Sequence, residues 1–78
     1  MPTLRLFAAA REAAGTGRAT VEGDTVGAVL DRAVADFGER FADVLATCRI
    51  WVNGEPATRE DAVASADEVA VLPPVSGG

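Results

Sequence analysis

Thr25-Val26-Gly27-Ala28-Val29-Leu30-Asp31-Arg32-Ala33-Val34-Ala35-Asp36-Phe37-Gly38 reads as one amphipathic helix. Val26, Val29, Leu30, Ala33, Val34 and Phe37 recur at the spacing of a single helical face, while Asp31, Arg32 and Asp36 fall on the opposite side. Thr25 offers a side-chain oxygen to the first free backbone N–H groups, and Gly38 is suited to end the helix in a left-handed cap. Burying the stripe against a sheet contributes about 10 kcal/mol before chain entropy is subtracted. A single helix of this length covers one face of a small sheet and leaves the other face open.

Upstream, Leu4, Leu6 and Ala8 alternate with Thr3, Arg5 and Phe7, the period of two expected for a strand with one buried face. Residues 9–14 favour a short helical turn ended by Gly15 and Gly17, and residues 17–22 alternate again as a returning strand. Gly15-Thr16-Gly17 reads as a turn and not as a phosphate loop, because no strand, loop and helix follow one another around it. Downstream, Phe41, Val44 and Leu45 suggest a second short helix. Arg49-Ile50-Trp51-Val52 then alternates into Asn53-Gly54, the strongest short turn signal in the chain. Residues 55–67 are weakly periodic and are expected to be turn-rich with at most a short bridge, and Glu68-Val69-Ala70-Val71-Leu72 is the last strand. Strand, strand, helix, strand and last strand, with one covering helix, make the α+β plan called a β-grasp, a mixed sheet of four to five strands covered on one face. Residues 1–72 are assigned to that domain and residues 73–78 to an extended, flexible tail.

The composition removes several function classes. Seventy-eight residues make one small domain without room for a deep substrate cleft. All seven basic residues are arginine against twelve acidic ones, and the net charge of −5 argues against nucleic acid and, taken as a whole, suits a basic protein partner. No apolar run reaches the length of a membrane span, and the start of the chain has no export signal, so the cytoplasm is the expected compartment. With no histidine, no tyrosine and one cysteine, the chain lacks the usual nucleophile and base pair and any soft metal-ligand cluster. No bound metal or cofactor is expected, and the chain is not expected to be a catalyst on its own.

The end of the chain stands apart. Pro73 and Pro74 fix φ, remove two backbone donors and hold their predecessors extended, so the chain is expected to leave the body stiffly. Val75, Ser76, Gly77 and Gly78 follow, and the last three carry almost no side chain, which suits a narrow channel. From Pro74 onward an extended tail reaches about 15 Å, at about 3.1 Å per residue. Gly77-Gly78 alone would be an ordinary small-residue terminus. Behind two prolines and a β-grasp, the Gly78 carboxylate is the candidate reactive group.

Phe7-Ala8-x-x-Arg11-Glu12-x-x-Gly15, Val52-Asn53-Gly54-Glu55, Asp67-Glu68-Val69-Ala70 and Pro73-Pro74-Val75-Ser76-Gly77-Gly78 together resemble the small subunit of molybdopterin synthase, a ubiquitin-like sulfur carrier of the MoaD and ThiS type. The resemblance runs from end to end, and the last segment is its most specific part. It implies that the first and last strands lie side by side and parallel. It also implies that an ATP-dependent, ubiquitin-activating-like adenylyltransferase using Mg-ATP adenylates Gly78, which is then converted to a thiocarboxylate. The loaded carrier would dock on the large subunit of molybdopterin synthase, in a heterotetramer, and give its sulfur to cyclic pyranopterin monophosphate. Carriage of sulfur for thiazole or cysteine synthesis, a plain β-grasp interaction module, and a modifier attached to lysines of other proteins are the alternatives. The chain departs from the family in having Ser65-Ala66 where Asp-Gly is frequent, and a bulky Trp51 on its strand.

Phe7, Leu72 and Trp51 fall on the phase opposite Leu6, Val71 and Val52, so they are expected on the sheet face without the helix, as a docking patch. Arg11 is a further candidate contact, weighed against a solvated charge pair with Glu12. Cys48 is expected to be a small buried strand residue and not a sulfur acceptor.

Overall fold

The computed structural model describes residues 1–74. In chain order its elements are β1 (Thr3–Leu6), α1 (Ala8–Ala14), β2 (Arg18–Thr20), α2 (Val26–Phe37), α3 (Glu39–Leu45), β3 (Arg49–Val52), β4 (Glu55–Pro56) and β5 (Glu68–Leu72). The five strands form one mixed sheet in the order β2-β1-β5-β3-β4, with β1 and β5 parallel and the other neighbours antiparallel. This is the ubiquitin-like β-grasp expected from the order of elements.

Alternation sorts the strand side chains. Leu4, Leu6, Val69 and Val71 are buried and meet Val26, Val29, Leu30 and Ala33 of α2 in one core, with Ile50 and Val52 of β3 packed partly against it. Val34 and Phe37, the last two members of the helical stripe, are half-buried. Phe41 of α3 completes the core, fully buried, with its ring edge-on to Phe37 at a centroid distance of 5.2 Å. Thr25 caps α2 by accepting the Ala28 N–H at its hydroxyl, 3.1 Å away. The loop before β5 closes the same helix end, since its Arg59 and Asp61 carbonyls accept the N–H groups of Gly27 and Val26.

Four local expectations are corrected. The alternation of Leu4 and Leu6 does not run on to Ala8: β1 stops at Leu6, and Ala8 begins α1 exposed, with φ of 52°. Gly38 does not adopt the left-handed cap. Its φ of 96° and ψ of −176° instead turn the chain directly from α2 into α3, so one residue ends a helix and starts the next, a backbone that favours glycine. The turn-rich stretch from Glu55 contains a two-residue edge strand as well as the bridge from Thr25 to Ala62. Pro56 is tolerated there because β4 is an edge strand. Cys48 lies just before β3, half-buried and not in the strand.

Among the described residues no helix is long and apolar enough to cross a membrane. Pro73 and Pro74 follow β5 as exposed residues outside any helix or strand. Val75, Ser76, Gly77 and Gly78, to which the reactive end is assigned, lie outside the described residues.

Candidate functional site

The helices occupy one face of the sheet, and the register defines the other. Arg18, Arg5, Ala70, Trp51 and Pro56 stand in one cross-strand row from β2 to β4. Leu72 pairs with Arg49 in the next row, at the end of the sheet where the chain passes into Pro73. Phe7 reaches the same end, because β1 runs parallel to β5 and the Phe7 N–H donates to the Val71 carbonyl at 3.2 Å. Phe7, Leu72 and Trp51 thus share the open face as the alternation requires. Phe7 is exposed, whereas Leu72 and Trp51 are half-buried.

Arg5 ties this face together. Its guanidinium carbon lies 5.5 Å from the centre of the Phe7 ring, and it approaches Glu68 of the neighbouring strand at 3.7 Å. Both side chains of that ion pair are well exposed, so its contribution to stability is small. Arg11 is placed differently. It lies on α1, exposed, with its Cδ and Nε 3.4 Å from where a Cβ on Gly17 would stand. Among the described residues it makes no ion pair with Glu12.

A lock at the opposite end of the sheet escaped the sequence reading. Asn53 and Gly54 both have positive φ, 50° and 84°, the primed turn expected of Asn-Gly between β3 and β4. The Asn53 side chain also reaches β5: its Nδ2 donates to Asp67 Oδ1 and its Oδ1 accepts the Glu68 N–H, each at 2.9 Å. Asp67 Oδ2 accepts the Ala64 N–H at 2.8 Å, closing the turn through Ser65 and Ala66. Two segments that carry the family resemblance are therefore joined through side chains fourteen residues apart. Pairwise hydrogen bonding at that separation leaves no periodic signal; an Asn-Gly turn and an isolated aspartate before a strand were the visible cues.

The backbone N–H of Ala64 and the Asn53 amide hold the Asp67 carboxyl below the usual carboxylate range. A depressed folded value means that this contribution is present above about pH 4, the unfolded value, and is lost as pH falls through the folded one. We expect Asp67→Asn to flatten the fall of the thermal midpoint on acidification, and Asn53→Ala to lower stability by about 2 kcal/mol by removing two hydrogen bonds and leaving alanine at positive φ. Thermal melts from neutral to acid pH check both. An unchanged acid limb in Asp67→Asn would count against the lock.

Cys48 is poorly placed for sulfur transfer. Its Sγ donates to the Val44 carbonyl at 3.2 Å, and burial pushes the thiol pKa up, opposed by a smaller effect of the Thr47 side chain. The reactive thiolate is thereby disfavoured. Among the described residues no cluster of histidine, cysteine, aspartate or glutamate is arranged to hold a metal. The described part of the chain thus presents an open sheet face bearing Phe7, Leu72 and Trp51, with Pro73 and Pro74 following β5 at one end of it.

Comparison with known proteins agrees with this geometry. The sequence profile described as the ThiS family matches residues 4–78. Small archaeal modifier protein 1 of Haloferax volcanii is 40% identical over an 88-residue alignment that covers 95% of this chain and 97% of that protein. The solution structure of small archaeal modifier protein 1 from Methanosarcina acetivorans superimposes with a TM-score of 0.86, at 29% identity, over 97% of this chain and 94% of that one. A candidate molybdopterin converting factor, subunit 1, from Pyrococcus furiosus superimposes with a TM-score of 0.82, at 25% identity, over 94% and 95% of the two chains.

Proposed function

The chain belongs to the ThiS family of ubiquitin-like sulfur carriers, and from that membership we propose that it carries sulfur for molybdopterin as a thiocarboxylate on Gly78. The observation that carries the proposal is the Pro73-Pro74-Val75-Ser76-Gly77-Gly78 ending on a β-grasp body, within a family match that runs to residue 78. The likeness to a candidate molybdopterin converting factor subunit is compatible with the pterin route, and the choice of that route over thiazole or cysteine synthesis rests on the form of the ending.

The chemistry follows from what a carboxylate can do. A free carboxylate is a poor acyl donor. An oxygen of the Gly78 carboxylate attacks the α-phosphorus of ATP, pyrophosphate leaves, and the acyl group is held as a mixed anhydride with AMP. Hydrosulfide then attacks the acyl carbon, the bond to the AMP oxygen breaks, and AMP leaves behind a thiocarboxylate. An adenylating partner supplies Mg-ATP, aligns the carboxylate and stabilises the developing charge. This chain supplies the acyl group, a tail slender enough to enter a channel, and the face formed by Phe7, Leu72 and Trp51 that aligns it. Arg11, on α1, is a peripheral contact. The second partner is the large subunit of molybdopterin synthase, in a heterotetramer, where cyclic pyranopterin monophosphate receives the sulfur.

The test is intact mass spectrometry of the full chain after incubation with the adenylating enzyme, ATP and a sulfur donor. Replacement of one terminal oxygen by sulfur is the expected result, and its absence from a chain that binds the enzyme overturns the reading. Leu72→Asp is expected to weaken docking at least 10-fold, since it puts a charge into the apolar contact at the tail exit, while the thermal midpoint moves little. Unaltered affinity would remove Leu72 from the interface.

A second reading draws on the name of the Haloferax volcanii relative: a modifier whose terminus is joined to amines of other proteins. Activation is the same in both; the products differ. An isopeptide bond from Gly78 to a lysine of another protein marks the modifier. Since all seven basic residues here are arginine, this protein offers no lysine on which to build a chain of its own copies.

A further inference from the structure

The net charge of −5 does not describe the open face. Arg5, Arg18 and Arg49 all project from it, against the single carboxylate, that of Glu68, among the described strand residues of this face. The other acidic residues lie on the helices, at Glu55 of β4 and in the loops. The arginines occupy two adjacent rows of the face, Arg49 in the row at the tail exit and Arg5 with Arg18 in the row before it. Arg49 pairs with Leu72 at the tail exit, and Arg5 and Arg18 stand directly opposite each other on adjacent strands, one residue before Leu6. Two like charges directly opposite on a sheet face are unfavourable for folding. Arg5 has Glu68 and the Phe7 ring, but neither Arg18 nor Arg49 has an ion-pair partner among the described residues. The cost is offset inside the fold at Arg5 only, and charges left without a partner at Arg18 and Arg49 are what a binding surface carries.

We propose that the open face takes an acidic partner surface, in which carboxylates surround an apolar centre that meets Phe7 and Leu72. The inference rests on the carrier reading and names the partner as the adenylating enzyme. Arg18 and Arg49 steer the encounter and set its orientation, so that the tail exit faces the enzyme's channel. The acidic helix side of the carrier is repelled by the same surface, and the segregation of charge rejects the wrong approach as well as favouring the right one.

The test is the rate of association of the full-length protein with its adenylating enzyme, followed between about 10 mM and about 1 M NaCl, over which the screening length contracts from about 30 Å to about 3 Å. The double variant Arg18→Gln/Arg49→Gln is compared with Arg32→Gln/Arg40→Gln, which removes the same charge from the helix side. The open-face variant should associate roughly 10-fold more slowly at low salt and lose most of its salt dependence, whereas the helix-side variant should change less than about 3-fold. Thermal midpoints of both confirm folding; relief of the Arg5 and Arg18 opposition should leave the first at or above wild type. Equal rates for the two variants, or faster association of the open-face variant, overturns the acidic partner. Concentration-dependent self-association that the open-face variant abolishes overturns it too, by showing that a second copy's acidic side fills the face. Terminal adenylation with charge-independent rates sinks this inference alone, while absence of both binding and adenylation sinks the carrier reading and this inference with it.

Discussion

Deletion of Gly78 should abolish thiocarboxylation and leave the thermal stability of the body unchanged. One residue of extended chain spans about 3.5 Å, so a carboxylate on Gly77 falls short of the α-phosphorus by more than the tolerance of an in-line attack. A misplacement of about 1 Å at a reacting centre already costs on the order of 100-fold in rate, and a full residue is expected to cost more than that. Gly78→Ala is the milder counterpart. It keeps the reach but adds a methyl group beside the reacting carbon and narrows the backbone conformations available in a channel. It should adenylate slowly, with binding to the enzyme nearly unchanged, since Phe7 and Leu72 remain. The core is closed by residues from Leu4 to Val71, so neither change touches it. Intact mass after a fixed incubation reads loading, and a thermal melt reads folding. Normal loading of the truncated chain would show that the reacting group is elsewhere and would remove the basis for a carrier.

The tail and the body differ in how they could be read. The stripe from Val26 to Phe37 was legible because a helix writes its buried face at a fixed spacing, and the cap at Thr25 and the turn at Asn53-Gly54 because each depends on one or two residues. Alternation correctly put Phe7, Leu72 and Trp51 on the open face. It failed at Ala8, where an apolar residue in the right phase follows the end of the strand, and it passed over β4, which is too short to show a period and contains a proline. Register was the larger loss. That Arg18 faces Arg5, or Arg49 faces Leu72, depends on how strands distant in sequence align, and no local pattern specifies that. Composition consequently pointed to a basic partner, while the pairing places Arg5, Arg18 and Arg49 on the open face that we propose for docking. The lock from Asn53 to Asp67 was hidden for the same reason.

Phe41→Ala should destabilise the domain by about 3 to 5 kcal/mol, the largest effect expected of any single side chain here. Phe41 is the largest fully buried side chain, and its ring packs edge-on to Phe37 where α3 meets α2. The other aromatic residues cannot take its place, because Phe7 and Trp51 belong to the open face and Phe37 is already its partner. A domain of this size has about 4 to 12 kcal/mol of stability in all, so the variant is expected to melt about 15 to 30 °C lower and to be partly unfolded at physiological temperature. Denaturant unfolding measures the loss, and a cost below about 1 kcal/mol would mean that α3 frays from the core and contributes little to cooperative folding. The contrast with Phe7→Ala separates folding from docking. Phe7 is exposed, and its removal should change stability by less than about 1 kcal/mol while weakening partner binding. Phe41 lies across the sheet from the open face, so at a temperature low enough to keep the variant folded its Gly78 should be loaded at the wild-type rate. Loss of loading in folded Phe41→Ala would place α3, and not the open face alone, against the activating enzyme.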